Sequence, residues 1–204
     1  MKAVAEPIEI TPVVLRINPV LEMTDDQFFG FCQLNDDLRL ERTAEGDIVI
    51  MPPTGAETSN TNAEITMQLR VWAKKDPRGV AFDSSCGFRL PNGVTRSPDA
   101  AWVSRPRLAG FSAEEKKKFL PLCPEFIVEL RSPSDRVAGQ KAKMEEYREN
   151  GALLGWLIDP IERQVHLYRP GRPAEQLDEP RSISANPELS GFVLDLAEIW
   201  EPAF

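Results

Sequence analysis

Residues 125–131 of the chain read Glu-Phe-Ile-Val-Glu-Leu-Arg, which is a strongly strand-like sequence. Phe126, Val128 and Leu130 alternate with residues that point the other way, a pattern that predicts a β-strand. Glu129 lies inside this apolar strand, where a buried carboxylate requires a partner. The stretch therefore predicts a central strand that carries a partnered acidic side chain into the protein.

The sequence that follows predicts one helix and two more strands. Residues 132–135, Ser-Pro-Ser-Asp, are typical of a turn. A helix is predicted over 137–150, with Gly151 ending it. Two adjacent strands are predicted over 153–158 and 164–168. Strands that alternate with long helices indicate an α/β fold or, at the border between the two classes, an α+β fold.

A second long helix is predicted before the central strand, over residues 59–74. Ile65, Leu69 and Trp72 are spaced by four and three residues, which places them on one helical face. Further strands are predicted over 38–42, 47–51, 80–82, 88–90 and 99–103. We therefore expect a central mixed sheet flanked by helices.

Several segments lie outside this arrangement. A capping-box pattern at Thr24 predicts a short helix, and the charged segment 112–119 is compatible with another. The apolar tail, 192–200, can complete the core or form the interface of a homodimer. No repeat or long linker divides the chain, so we expect a single domain over 1–204 with an irregular N-terminal arm over 1–23.

Composition excludes several classes of protein. No apolar run approaches the roughly 20 residues that span a bilayer, so we expect no membrane segment. The N-terminus lacks the apolar segment of a signal peptide, and the three cysteines include no CxxC pair, so a reduced, cytoplasmic protein is expected. The sequence contains neither a P-loop nor a GxGxxG motif, so we expect no nucleotide cofactor. The net charge of −8 opposes the binding of a polyanion by the surface as a whole.

Two carboxylates stand out as candidates for chemistry. Asp99 follows Ser97-Pro98 at the start of a predicted strand, and Glu129 lies near the end of the central strand. Carboxylates on neighbouring strand ends can bind one hard cation, because Mg²⁺ prefers oxygen ligands and keeps several waters. Strand alternation leaves Leu130 facing the opposite side from Glu129, where it can fill the core while its backbone carbonyl offers a third oxygen.

A proline-aspartate pair followed about 30 residues later by a strand glutamate resembles the PD-(D/E)XK nuclease superfamily. Within it, the chain resembles a bacterial family of restriction-type endonucleases that is abundant in cyanobacteria, from about Thr24 to Trp200. The residues that carry this resemblance are Met51-Pro52-Pro53-Thr54-Gly55, Ser97-Pro98-Asp99, Glu129-Leu130-Arg131-Ser132-Pro133-Ser134-Asp135, Lys143, Tyr147, Gly151 and Trp156-Leu157-Ile158-Asp159-Pro160. The resemblance implies a restriction-endonuclease-like fold and a metal-dependent endonuclease that hydrolyses phosphodiester bonds of DNA, with RNA as the other substrate to consider.

The resemblance also implies roles for particular residues. Asp99 and Glu129 would hold Mg²⁺ or Mn²⁺ with the Leu130 carbonyl, and Glu64 would complete the site. Lys143 would take the part of the superfamily lysine. The candidates for phosphate contact are Arg131 and Ser132.

Other interpretations of these residues stay open. The superfamily lysine position holds Arg131, which can neutralise phosphate charge but cannot release a proton to act as a base. A binding module with the same fold and no catalytic activity is therefore the alternative function. Asp99 alone is typical of a turn, Glu64 of a solvated helix face, and Ser132 of a helix cap.

Overall fold

A computed structural model describes residues 12–203 of the chain. The strands in this range are β1 (Val13–Leu15), β2 (Arg39–Arg42), β3 (Ile48–Met51), β4 (Gly79–Asp83), β5 (Phe88–Arg89), β6 (Thr95–Arg96), β7 (Ala100–Ser104), β8 (Phe126–Leu130), β9 (Leu154–Asp159), β10 (Gln164–Tyr168), β11 (Glu175–Asp178), β12 (Ser182–Ser184) and β13 (Val193–Asp195). The α-helices are α1 (Asp25–Leu34), α2 (Ala56–Lys75), α3 (Arg105–Ala109), α4 (Val137–Glu149) and α5 (Ala197–Trp200).

A six-stranded mixed sheet is the centre of the molecule. Its strand order is β11-β10-β9-β8-β7-β4. β8 and β9 are parallel, and the other neighbouring pairs are antiparallel. Parallel strands need a crossover connection, and α4 supplies it between β8 and β9. The predicted central mixed sheet flanked by helices is confirmed.

Both faces of this sheet are covered, so β8 is buried along its whole length. Phe126, Val128 and Leu130 pack on one face, in a cluster with α2 and the C-terminal tail. Ile127 packs on the other face with residues of α4. Because successive strand residues point to opposite faces, Glu129 shares the α4 face with Ile127.

A second sheet packs beside the first and brings the N-terminal half of the chain to the site. Its strand order is β1-β3-β2-β6-β5, and β2 and β3 form the predicted hairpin. α1 packs onto this sheet through Phe28, which lies in a small core with Leu40 and Ile48. The predicted capping box is present, since Thr24 and Gln27 bond each other's backbone N–H groups.

The predicted irregular arm, 1–23, is partly wrong. Val13–Leu15 forms the edge strand β1, which pairs antiparallel with β3. Hydrogen bonding to an existing sheet orders these residues although their side chains stay exposed. Residues 1–11 of the predicted arm lie outside the described range.

Two other segments differ from, or extend, the sequence prediction. The charged segment 112–119 forms only a 3₁₀ turn, Glu115–Lys117, which buries none of its own residues and so lacks the packing that stabilises a longer helix. The tail packs on the chain's own core, where Phe192 is 1% exposed.

None of the helices between residues 12 and 203 has the length and apolarity that crossing a bilayer would take.

Candidate active site

The antiparallel register of β7 and β8 places Asp99 opposite Glu129. Ala100 pairs with Val128 and Ala101 with Ile127, so the residue before β7 faces the residue before the end of β8. Directly opposed residues of an antiparallel pair share a face of the sheet. Both carboxylates are buried, at 8% and 3% exposed. The structure therefore brings together the two acidic residues that the sequence singled out.

Asp99 is held from three directions. Its Oδ2 accepts a hydrogen bond from the backbone N–H of Leu130 at 2.9 Å. Its Oδ1 accepts one from the Asn62 side-chain amide of α2 at 3.0 Å and lies 3.5 Å from the Arg39 guanidinium of β2. The carboxylate thus connects the central sheet to both α2 and the second sheet.

Glu129 shares one oxygen between two donors of α4. The Lys143 ammonium lies 2.9 Å from Oε1, and the Tyr147 hydroxyl donates to the same oxygen at 2.8 Å. Burial raises the pKa of Glu129 to about 7, Lys143 opposes this shift, and repulsion from Asp99 adds to it. The carboxylate therefore exchanges its proton near neutral pH, which is the range where catalytic carboxyl groups are often found.

A third carboxylate, Glu41 of β2, completes the cluster, and sequence reasoning did not find it. Glu41 is 2% exposed as a whole residue, and its carboxylate contacts Lys143 at 3.2 Å, Arg96 at 2.9 Å and the backbone N–H of Ser97 at 3.0 Å. Burial alone would raise the pKa of Glu41, but the two neighbouring cations and the N–H group outweigh it and lower the pKa to about 2. Glu41 is therefore charged throughout the physiological range.

The oxygen donors around Asp99 and Glu129 fit a hard divalent cation. The N–H and C=O of one strand residue point to the same edge, so we expect the Leu130 carbonyl to lie on the Asp99 side of β8, where its N–H is. The Asn62 side-chain oxygen beside Asp99 is buried and makes no hydrogen bond. Within residues 12–203 no group of three His, Cys, Asp or Glu side chains could hold a metal. A cation here would rely on two carboxylates, backbone oxygen and substrate phosphate, as Mg²⁺ commonly does.

Glu64 does not join this cluster. Its carboxylate accepts a hydrogen bond from Gln68 at 2.8 Å, and Gln68 in turn contacts the backbone of Asp195. Two residues along an α-helix correspond to a rotation of about 200°, so Glu64 points away from Asn62, which is the α2 residue that contacts Asp99. In the structure the α2 residue that contacts Asp99 is thus Asn62, and a part for Glu64 in the site stays a prediction.

Arg131 and Ser132 lie beside the cluster and are occupied by contacts within the chain. The Arg131 guanidinium pairs with Asp159 at 2.7 Å, while its Nε is buried without a partner. The Ser132 hydroxyl and backbone N–H both donate to Asp135 at 2.8 Å. Ser132 thus closes the turn before α4, and the buried Nε of Arg131 makes no hydrogen bond.

Two clefts meet at residues 134–136 beside the carboxylates. One has a volume of about 920 Å³ and is lined by the first turn of α2, by Leu130 to Val137 and by Trp200. The other has a volume of about 540 Å³ and is lined by Glu41, Lys143 and the first turns of α4. Leu130 and Lys143, which contact Asp99 and Glu129 respectively, line one cleft each, so each cleft lies beside one side of the cluster.

Comparisons with known proteins agree with this architecture. The family model Uma2, described as "Putative restriction endonuclease", matches residues 25–197. The crystal structure of a putative nuclease belonging to DUF820 from Anabaena variabilis ATCC 29413 is similar to 87% of this chain and 97% of its own, with a TM-score of 0.70 and 22% sequence identity. The likeness shows a shared fold. No curated protein matches the chain.

Proposed function

Because the chain belongs to the Uma2 family of putative restriction endonucleases, we propose that it is a Mg²⁺- or Mn²⁺-dependent endonuclease that hydrolyses phosphodiester bonds of DNA. The observation that carries this proposal is the meeting of Asp99, Glu129 and Lys143, from three separate parts of the chain, in one buried cluster. Two carboxylates and a lysine beside an open cleft are the groups that metal-assisted phosphodiester hydrolysis needs.

Each of the chain's own residues has a definable part in this reaction. Asp99 and Glu129, with the Leu130 carbonyl, would hold the cation, which supplies Lewis acidity for hydrolysis when bound. Lys143 holds a positive charge beside Glu129, because its contacts with Glu129 and Glu41 outweigh burial and raise its pKa. A fixed ammonium at this point can neutralise charge that develops on a phosphate oxygen. Burial of the cluster strengthens each of these interactions.

The clefts support a nucleic-acid strand as the substrate. The larger cleft is lined by the first turn of α2, which has no side-chain cap, by Arg131 and by the apolar side chains of Leu130 and Trp200. Backbone N–H groups and an arginine suit phosphate, and an aromatic ring suits a base. The cluster itself contains the cations Arg39, Arg96 and Lys143 beside its three carboxylates. The net charge of −8 is therefore not concentrated where the substrate would bind.

Other parts of the proposal concern the setting of the protein. The three cysteines are free and none is paired, which fits a reducing compartment such as the cytoplasm.

The non-catalytic module is the competing function, and the observation that favours it is Arg131, which replaces the superfamily lysine and is already paired with Asp159.

Cleavage and binding assays distinguish the two functions. Supercoiled plasmid DNA, single-stranded DNA and RNA are incubated with the protein and Mg²⁺ or Mn²⁺, and Asp99→Asn, Glu129→Gln and Lys143→Met are tested beside the wild type. We expect cleavage of DNA by the wild type alone. Glu64→Ala is the matched control and should cleave as the wild type does. DNA binding without cleavage, unchanged by Asp99→Asn, would establish the binding module instead.

A further inference from the structure

Lys143 lies between two carboxylates that come from different sheets. Its Nζ is 2.9 Å from Glu129 of the central sheet and 3.2 Å from Glu41 of the second sheet. The Lys143 side chain is 13% exposed, and each carboxylate is 3% exposed. The Lys143 ammonium is thus shared by two buried carboxylates, although one carboxylate would be enough to balance its single positive charge.

The two carboxylates that accept from Lys143 differ in whether a bound metal would compete for them. Glu129 Oε1 already accepts bonds from Lys143 and Tyr147. A divalent cation bound to Glu129 would compete with the Lys143 ammonium for the carboxylate and repel it. A lysine has three donors on a flexible four-carbon stem, so it can give up one partner while it keeps another.

The carboxylate of Glu41, the second acceptor for Lys143, is held in place by contacts of its own. Arg96 bridges Glu41 and Glu146, at 2.9 Å and 2.8 Å, and the backbone N–H of Ser97 donates to Glu41 Oε1 at 3.0 Å. These contacts come from β6 and the residue after it, so they do not depend on Lys143 or on a metal at Glu129. The Glu41 carboxylate therefore keeps its place whatever happens at Glu129.

We propose that Glu41 is a positioning residue that retains the Lys143 ammonium when a divalent cation takes Glu129. The inference rests on the proposed function, since it concerns the same metal site. Without Glu41, a cation at Glu129 would leave Lys143 buried with no acceptor for its charge, which carries a large penalty. Glu41 removes that penalty, and so it strengthens metal binding without being a ligand.

A double-mutant cycle tests this role through metal affinity rather than activity. Titration calorimetry measures Mn²⁺ binding at pH 8 to the wild type, Glu41→Gln, Lys143→Met and the double variant. We expect Glu41→Gln to weaken binding about tenfold, and the same change to have little effect once Lys143 is methionine. Glu146→Gln, which removes the other partner of Arg96, is the matched control and should bind Mn²⁺ as the wild type does.

The other outcomes overturn the inference. Unchanged affinity in Glu41→Gln means that Glu41 does not help metal binding, and an effect that persists without Lys143 means that Glu41 acts on the metal directly. If Glu41→Gln does not fold, Glu41→Asp carries the test, because it keeps the charge but shortens the side chain that reaches Lys143. Its affinity for Mn²⁺ should fall, and an unchanged affinity contradicts the inference. Failure of the wild type to bind Mn²⁺ overturns the inference, because no cation then takes Glu129 in the protein alone, whereas a metal site that substrate phosphate completes would still cleave DNA in the assays above.

Discussion

The backbone N–H of Leu130 donates a hydrogen bond to Asp99 Oδ2 at 2.9 Å. This bond joins the residue before β7 to the last residue of β8, so the position of one carboxylate depends on the backbone next to the other, Glu129. Asp99 consequently has a structural part as well as a chemical one. A substitution that tests its chemistry has to leave this hydrogen bond in place.

Asparagine at position 99 separates the two parts. Asp99→Asn keeps an oxygen for the Leu130 N–H, and the Asn62 amide can turn so that its unpaired oxygen accepts from the new amide group. We expect this variant to fold normally and to lose Mn²⁺ binding, measured by calorimetry. Asp99→Ala should also lose about 1–3 kcal/mol of stability, because it leaves a buried N–H unpaired. Wild-type metal affinity in Asp99→Asn would rule out Asp99 as a ligand.

Metal binding should strengthen as the pH rises toward 8. The pKa of Glu129 is raised to about 7 by burial, so the carboxylate carries a proton below that pH and must release it to bind a cation. We expect the affinity for Mn²⁺ to rise by about tenfold per pH unit below pH 7 and to level off above it. Calorimetry in buffers of different ionisation enthalpy measures proton release directly. Release at pH 6 with none at pH 8.5 is the expected result, and equal affinity at both would contradict it.

Glu41 should stabilise the fold only while it is charged. Its pKa is lowered to about 2, so it contributes stability above the pKa of the unfolded chain, near 4.5, and loses it as the pH falls toward 2. We expect Glu41→Gln to lower the free energy of unfolding by about 3 kcal/mol at pH 7 and by much less near pH 2 to 3. Urea unfolding measures both values. The same change at the exposed Glu45, in the turn of the same hairpin, should have little effect at either pH.

The C-terminal tail should be an integral part of the core. The Phe192 ring stacks on Trp156 at 5.7 Å between ring centres and contacts Phe126 at 5.9 Å. Phe192→Ala should therefore lower the free energy of unfolding by about 3–5 kcal/mol. Val193→Ala, next to it and 51% exposed, should change stability by less than about 1 kcal/mol. Similar losses for both variants would mean that the tail packs differently.

Periodicity in the sequence predicted the central elements because their packing is regular. The alternation over 125–131 and the spacing of Ile65 and Leu69 correspond to faces that are buried in the structure. Asp99 and Glu129 stood out by their places at the ends of predicted strands, and a family resemblance joined the two distant motifs. The structure shows why they belong together, since the strand register places one opposite the other.

Glu41 and Asn62 could not be found in the same way. Glu41 reaches Lys143 across 102 residues of sequence, and its strand carries Arg39, Glu41 and Arg42, which in sequence resembles a solvated edge. That strand is buried as an inner strand of the second sheet, and no local pattern in the sequence predicts this burial. Glu64 and Asn62 are both polar residues of α2, and which of them turns toward Asp99 depends on how the helix is rotated on the sheet. That rotation is a property of the assembled core.

The cluster draws its side chains from both sheets, because Glu41 and Arg39 belong to β2 whereas Glu129 belongs to β8. Lys143 pairs with Glu41 of one sheet and Glu129 of the other, and Arg39 lies beside Asp99, so ion pairs join the two sheets at this boundary. A genetic screen for loss of activity should therefore return residues of this boundary alongside the carboxylates themselves. In such a screen a variant can be inactive because the contact between the two sheets is disturbed or because the chemistry is lost. The folding of every inactive variant therefore has to be measured as well.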